Sequence, residues 1–382
     1  MEFNKIPDFS GQPNDVAVIE TLKKSNFPVV LYGASVDVAD QITKKLMVNG
    51  ISVKTVVFDE ASPMMTDSTR LLKETEKIAV CDINKKFPAY HVILGFVKAY
   101  TNIESVSAKF GNARSVDYLS EIFDMEIITP SFVLENEAFL RDFHDRLADQ
   151  HSKDSFVAYL LSKTRQDMKY LPPVFDKNQY FPSGMFELTN QEAYFDCGAF
   201  VGDTIAEFLK ASGGAYQRIW AAEPDYSNYQ QLIRYIEDKK LSNVEAIHKG
   251  IYSCPGKMPF QDEGSMLSMI SDESNRYIEV DTIDNMAAGN MVTYIKLDVE
   301  GAELPALKGA EQTIRRYKPI LGISIYHKER ALIDIPAYIQ EITSEYAFYF
   351  RVHKKLAIDT VLYGVVRESN KNINRPKGHK KN

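Results

Sequence analysis

Three carboxylates at the ends of short apolar runs are the residues of this 382-residue chain best placed to do chemistry: Asp196 in FDCGAFVGDT, Glu223 in WAAEPD and Asp298 in YIKLDVEGAE. The first stretch reads D-x-G-x-x-x-G. Gly198 and Gly202 let the chain turn tightly and let a ligand approach the backbone, and Phe200, Asp203 and Thr204 travel with them into the helix that follows. A carboxylate at Asp196 would repel a pyrophosphate seated on that helix end, whereas it would welcome an ammonium group. Glu223 and its neighbour Pro224 follow the next run, Glu223 lying 27 residues after Asp196. It can accept hydrogen bonds from both hydroxyls of a ribose, a role that falls about 20 residues on in nucleotide-binding sheets, and Gly213-Gly214 accounts for a longer loop here. Ammonium, carboxylate and ribose occur together in S-adenosylmethionine (SAM). Taken singly, each of these acids reads as a helix N-cap; taken jointly they read as a site.

The elements around these residues must bring strand ends to one place. From Ala193 onward, candidate strands at Ala193-Asp196, Arg218-Ala222, Val244-Ile247, Val292-Leu297 and Ile320-Tyr326 alternate with stretches of helical length. That order predicts an open parallel sheet whose ligand sits at the carboxyl ends of the strands. Two last runs, Phe348-Val352 and Val361-Val366, are joined by too few residues for a crossover and must pair as an antiparallel hairpin at one edge. The aromatic run Tyr346, Phe348, Tyr349 and Phe350 reads as hairpin packing. The first half has its own βαβ pattern: FPVVLYG (27–33), a helix over Val36-Val48 and VKTVVF (53–58) closing on Asp59, with further runs at Lys77-Cys81 and His91-Val97. Gly33-Ala34-Ser35 occupies the place of a nucleotide-binding turn and Asp59 that of a ribose ligand, but the later fingerprint glycines are missing. Substrate recognition or homodimerisation is therefore the expected use of this half. Helical spacing of Phe139, Phe143 and Leu147 and a stop at Pro172-Pro173 suggest a helical connector. The expected division is residues 1–130, 131–176, 177–370 and a disordered basic tail at 371–382.

Residues 180–366 resemble the FkbM family of SAM-dependent methyltransferases, on the strength of FDCGAFVGDT (195–204), EPD (223–225), VDTID (280–284), IKLDVEGAE (295–303) and LKGA (307–310). The string Lys296, Asp298, Glu300, Gly301, Glu303 is much more diagnostic than a glycine loop. The resemblance implies a doubly wound class I methyltransferase fold, mostly parallel with an antiparallel edge hairpin, beside an N-terminal Rossmann-like α/β domain. It also implies a SAM cofactor and O-methylation of a sugar, glycan or polyketide hydroxyl. Gly250 stands where adenine contacts are expected, followed at Tyr252 by a bulkier residue than the family tends to carry. Methyl transfer is an in-line displacement, so much of the catalysis comes from positioning, yet a neutral hydroxyl also needs a base. Asp298 is the first candidate and His327, at the end of the neighbouring strand and titrating near roughly pH 6.5, the second. Glu300 would orient substrate or cap the next helix; holding a divalent metal with Asp298 is the less favoured role.

Composition narrows the partners. Acidic residues outnumber Lys plus Arg by 52 to 45, a net charge of -7 that gives no general attraction for nucleic acid or anionic membrane. No apolar run approaches the roughly 18 residues needed to span a bilayer, and Met1 to Ser10 has no secretory pattern, so a cytoplasmic protein is expected. Three cysteines without CxxC spacing suggest reduced thiols and no zinc site. Two other functions remain open on the sequence: an NAD-dependent oxidoreductase of nucleotide-sugars working through residues 27–130, and a noncatalytic SAM sensor.

Overall fold

The computed structural model describes residues 13–34, 36–59, 75–95, 103–119, 128–261, 269–270, 276–353 and 359–366. It separates into two units, one of Ile6–Pro130 with Leu160–Tyr170, the other of Ser131–Tyr159 with Leu171–Asn382. The basic tail at 371–382, Ser35 and Val97 lie outside the described residues.

The first unit is a parallel sheet. Strands β1 (Val29–Ala34), β2 (Val53–Phe58), β3 (Glu76–Ala79), β4 (Tyr90–Gly95) and β5 (Ala113–Tyr118) lie in the order β3-β2-β1-β4-β5. Every pairing is parallel, as the crossover helix Val36–Val48 demands. β4 is buried along its whole length, which is why its sequence, YHVILG, is a near-continuous apolar run. β5, ARSVDY, carries no such run and was not foreseen. Asp59, just beyond β2, is held by the Tyr32 hydroxyl at 2.8 Å and the Lys109 ammonium at 2.7 Å.

The second unit holds a seven-stranded sheet built from β6 (Ala193–Cys197), β7 (Arg218–Ala222), β8 (Val244–Ile247), β13 (Tyr294–Leu297), β14 (Ile320–Ser324), β15 (Tyr346–Val352) and β16 (Thr360–Val366). Its order is β15-β16-β14-β13-β6-β7-β8: five parallel strands, with the antiparallel hairpin at one edge. A second sheet was not anticipated. It consists of β9 (Gly250–Ile251), β10 (Gly256–Gln261), β11 (Met269–Ile270) and β12 (Tyr277–Asp281), and two of these strands are two residues long, too short for any periodicity to register.

Aromatic packing supports the sheet from both faces. Tyr194 of β6 stacks on Phe208 of the helix Asp203–Ala211 with ring centroids 4.5 Å apart, and Phe181 meets Tyr294 edge to face at 5.5 Å. Such pairs contribute about 0.5–1.5 kcal/mol beyond the area they bury. On β15 the alternate residues Tyr346, Phe348 and Phe350 are buried, as a strand's two-residue period requires. Phe348 meets Phe143 of the helix Glu137–Arg146, and Phe350 meets Phe156. Among the described residues no helix is long and apolar enough to cross a membrane.

Candidate active site

At the carboxyl ends of β6, β7 and β13 lies a cleft of about 1040 Å³, counting the solvent at its mouth. Nine of the residues singled out from sequence line it: Gly198, Phe200, Asp203, Thr204, Glu223, Pro224, Gly250, Asp298 and Glu300; Gly202 does not. Asp196 and His327 are likewise absent from its walls.

The reason for Asp196 lies in strand register. Asp196 of β6 pairs directly with Lys296 of β13. Side chains opposite each other on adjacent strands share a face, so acid and amine meet inside the sheet at 3.2 Å with essentially no solvent exposure. Thr204 donates a further hydrogen bond to Asp196 at 2.5 Å. Burial works against the Lys296 ammonium, but Asp196 and then Asp298 outweigh it and hold its pKa above the ordinary lysine range. Lys296 also donates to the Gly198 carbonyl at 2.6 Å. Asp196 thus faces a resident cation, and it reaches the cleft through Lys296 and the glycine loop.

That loop is tightly constrained. Gly198 has φ +77°, and a Cβ there would lie 1.9 Å from the Asp298 carbonyl oxygen, so only glycine lets the two strand ends approach. Gly202, at φ +93°, packs its bare Cα against the Tyr235 ring, where a Cβ would come within 2.6 Å. Phe200 between them also has positive φ, and its amide donates to Glu223 Oε2 at 2.9 Å. The Asp225 amide donates to Glu223 Oε1, again at 2.9 Å. Burial pushes the Glu223 carboxyl up to about 7, with the two backbone donors opposing. The helix N-cap in this stretch is Asp225, which accepts from the Asn228 amide; Glu223 is left to face the cleft.

Asp298 accepts from the Tyr180 hydroxyl at 2.9 Å, and Tyr180 also contacts the Ser324 hydroxyl at 3.0 Å. Burial alone would raise the Asp298 pKa. Lys296 and His327, with the Ser324 and Tyr180 hydroxyls, more than offset it and keep the group ionised. His327 stands behind Asp298, its Nε2 3.1 Å from Glu300 Oε2 and its Nδ1 2.9 Å from Glu303 Oε1. These are charge contacts without well-directed hydrogen bonds. Burial lowers the His327 pKa, but Glu303, Glu300 and Asp298 together raise it well above the ordinary value. Set against the expectation of a titration near pH 6.5, these acids hold the ring in its protonated form to higher pH, which counts against His327 as the base.

Sequence reading gave Lys296 no role beyond its place in the motif and missed Tyr180, Lys249, Phe260, Ile278 and Tyr326; all six line the cleft. For Lys296 a signal existed, since a lysine inside a four-residue strand that is otherwise apolar must find a buried partner. Tyr180 lies 118 residues before Asp298 in a loop and carried no signal at all. Tyr252 does not line the cleft; its carbonyl packs on Gly309, where a Cβ would come within 2.1 Å.

The family model described as the methyltransferase FkbM domain matches residues 196–349. Among solved structures, the chain is similar to a methyltransferase FkbM from Methylobacillus flagellatus KT, with 22% identity and a TM-score of 0.66 over 93% of this chain and 94% of that one. An rRNA methylase from Streptococcus thermophilus aligns with a TM-score of 0.32 and 13% identity over 47% of this chain and 89% of that one. No curated protein matches the chain.

Proposed function

Starting from residues 196–349 as a methyltransferase FkbM domain, we propose that the chain transfers a methyl group from SAM to a hydroxyl of a sugar, glycan or polyketide-type acceptor. The observation that carries the reading is the meeting of Glu223, the Gly198–Thr204 loop and Asp298 around one cleft at the strand ends. Each Glu223 oxygen accepts one backbone N–H and keeps a lone pair, which suits the two hydroxyls of a ribose. Phe260, Ile278 and Ile251 give an apolar wall for the adenine beside Gly250. The glycine loop takes the amino-acid end of the donor, and Asp196 acts there by holding Lys296 on the Gly198 carbonyl.

In the reaction the acceptor oxygen attacks the sulfonium methyl, the sulfur–carbon bond breaks with its electron pair staying on sulfur, and the hydroxyl proton leaves to a base. Asp298 takes that role because it lines the cleft and is oriented by Tyr180. Asp298→Asn should leave S-adenosylhomocysteine (SAH) binding within a few fold and lower single-turnover methyl transfer by roughly 10²–10⁴. A near-normal rate would leave catalysis to positioning. Thermal shift with SAM, SAH, NAD and NADP tests the cofactor class, because a ligand selective for the native state raises stability by mass action. Stabilisation by NAD and not by SAH would overturn the proposal; SAM binding with no turnover on any sugar or polyketide acceptor would favour a sensor.

A further inference from the structure

Glu300, Glu303 and His327 have so far only held one another, and their arrangement carries the argument further. We propose that Asp298, Glu300 and His327 form a binding site for one divalent cation at the edge of the cleft. Its use in methyl transfer rests on the function proposed above; its existence does not.

One ligand atom from each of the three residues lies within 4.8 Å of the others. His327 Nε2 is 3.8 Å from Asp298 Oδ1 and 3.1 Å from Glu300 Oε2. Ligand atoms at about 2.1 Å from one ion, at right angles around it, stand roughly 3 Å apart, so small side-chain movements close the set. The far nitrogen of the ring supplies a second, independent argument. His327 Nδ1 faces Glu303 Oε1 at 2.9 Å, and Glu303 is itself buried and fixed by the amides of Val299 at 3.1 Å and Gly301 at 3.2 Å. A metal-binding histidine characteristically gives its other N–H to a carboxylate, which fixes the tautomer and turns the remaining lone pair toward the ion. Both ring nitrogens are close to a carboxylate but poorly directed at it, so a small rotation of the ring would align Nδ1 with Glu303 and free Nε2 for an ion.

Charge and backbone agree. Three carboxylates surround one imidazole, and the buried amine beside them, Lys296, is committed to Asp196 and the Gly198 carbonyl; Lys328 lies against Gly301. Glu300 is held at φ +50°, a conformation side chains rarely adopt, and that turn places Glu300 on the cleft wall. Two carboxylate oxygens and one imidazole suit Mn²⁺ better than the oxygen-preferring Mg²⁺, and three protein ligands leave about three of six positions for water or acceptor oxygens. Binding releases the proton from Nε2 while Glu303 keeps the one on Nδ1.

The full-length protein is titrated with Mn²⁺ and followed by electron paramagnetic resonance. One site per chain is expected, with spin-echo modulation from a single directly bound ¹⁴N, competed by Mg²⁺. Glu300→Gln should weaken Mn²⁺ at least tenfold, and Glu303→Gln by about 10–100-fold, the range for an outer-shell partner. The nitrogen signal needs no variant, so misfolding of either variant leaves the test intact. Absence of binding at millimolar Mn²⁺, binding without nitrogen modulation, or a folded Glu300→Gln protein that binds like wild type would each overturn the site. SAH calorimetry on the same samples separates the two readings: SAH binding without a Mn²⁺ site removes the cation alone, whereas a Mn²⁺ site without SAH binding removes the methyltransferase reading.

Discussion

Glu223 has a measurable consequence for pH. Its carboxyl is shifted from an ordinary 4.5 up to about 7 by burial. A raised pKa means the folded chain holds the proton more tightly than the unfolded one. This group therefore favours folding below its unfolded pKa, and that contribution is lost as pH rises through about 7. In the proposed function ligand binding runs the other way, because two ribose hydroxyls would need a carboxylate able to accept from both. SAH affinity, measured by calorimetry, should fall as pH drops below about 7, and the dependence should vanish in Glu223→Gln. Glu223→Ala should weaken SAH by roughly 1.5–3 kcal/mol, the scale for hydrogen bonds to a charged group. The position of Glu223 was legible because strand-end acids announce themselves in sequence. Its neighbour Asp225 looks equally suitable there, and only the hydrogen bond from the Asn228 amide identifies it as the cap.

Between strands, the pairing of β6 with β13 decides what Asp196 can do. The strands themselves were readable from apolar runs, but their register was not, since it depends on residues about 100 positions apart. Register puts Asp196 and Lys296 in one buried pair. Lys296→Met should destabilise the protein by about 3–5 kcal/mol, because removing one partner leaves an uncompensated buried charge, whereas Asp196→Asn with Lys296→Met should recover much of that loss. Urea denaturation of the single and double variants checks this; equal losses in both would mean the pair is not a coupled unit. The same distinction applies to the other stretches that carry the resemblance. In VDTID, Thr282 caps the helix Ile283–Ala287 and Asp284 accepts from the amides of Gln312 and Thr313. That stretch closes helix ends away from the cleft.

For the molecule as a whole, the alternation of strands and helices made both α/β sheets visible in advance. The helices that fall between the two sheets in sequence were harder to assign. Spacing of Phe139, Phe143 and Leu147 gave a helix, but a helix's apolar face does not name its partner. In the structure Phe143 and Phe156 meet Phe348 and Phe350 of β15, and Arg351 reaches Asp149 at 2.6 Å and donates to Ser152 as well. A fragment starting near Lys177 would leave the buried Phe348 and Phe350 exposed on an edge strand, which is an aggregation hazard. A fragment beginning at Ser131 should be the more soluble and melt higher. Circular dichroism melts of both fragments test this, and equal melting points would show that the phenylalanine contacts contribute little.

Given the cation site proposed above, the backbone at Glu300 sets this protein's durability against its usefulness. Glu300→Gly would free the φ +50° position of its penalty and, by analogy with other left-handed sites, stabilise the fold by up to about 1 kcal/mol. A screen that selects for heat resistance alone should therefore enrich glycine at this position, and each clone so obtained should show a higher melting temperature together with impaired methyl transfer. Paired melting and turnover assays on Glu300→Gly would reveal the conflict directly. Retained turnover with raised stability would mean the glutamate is a relic that breeding for robustness can discard.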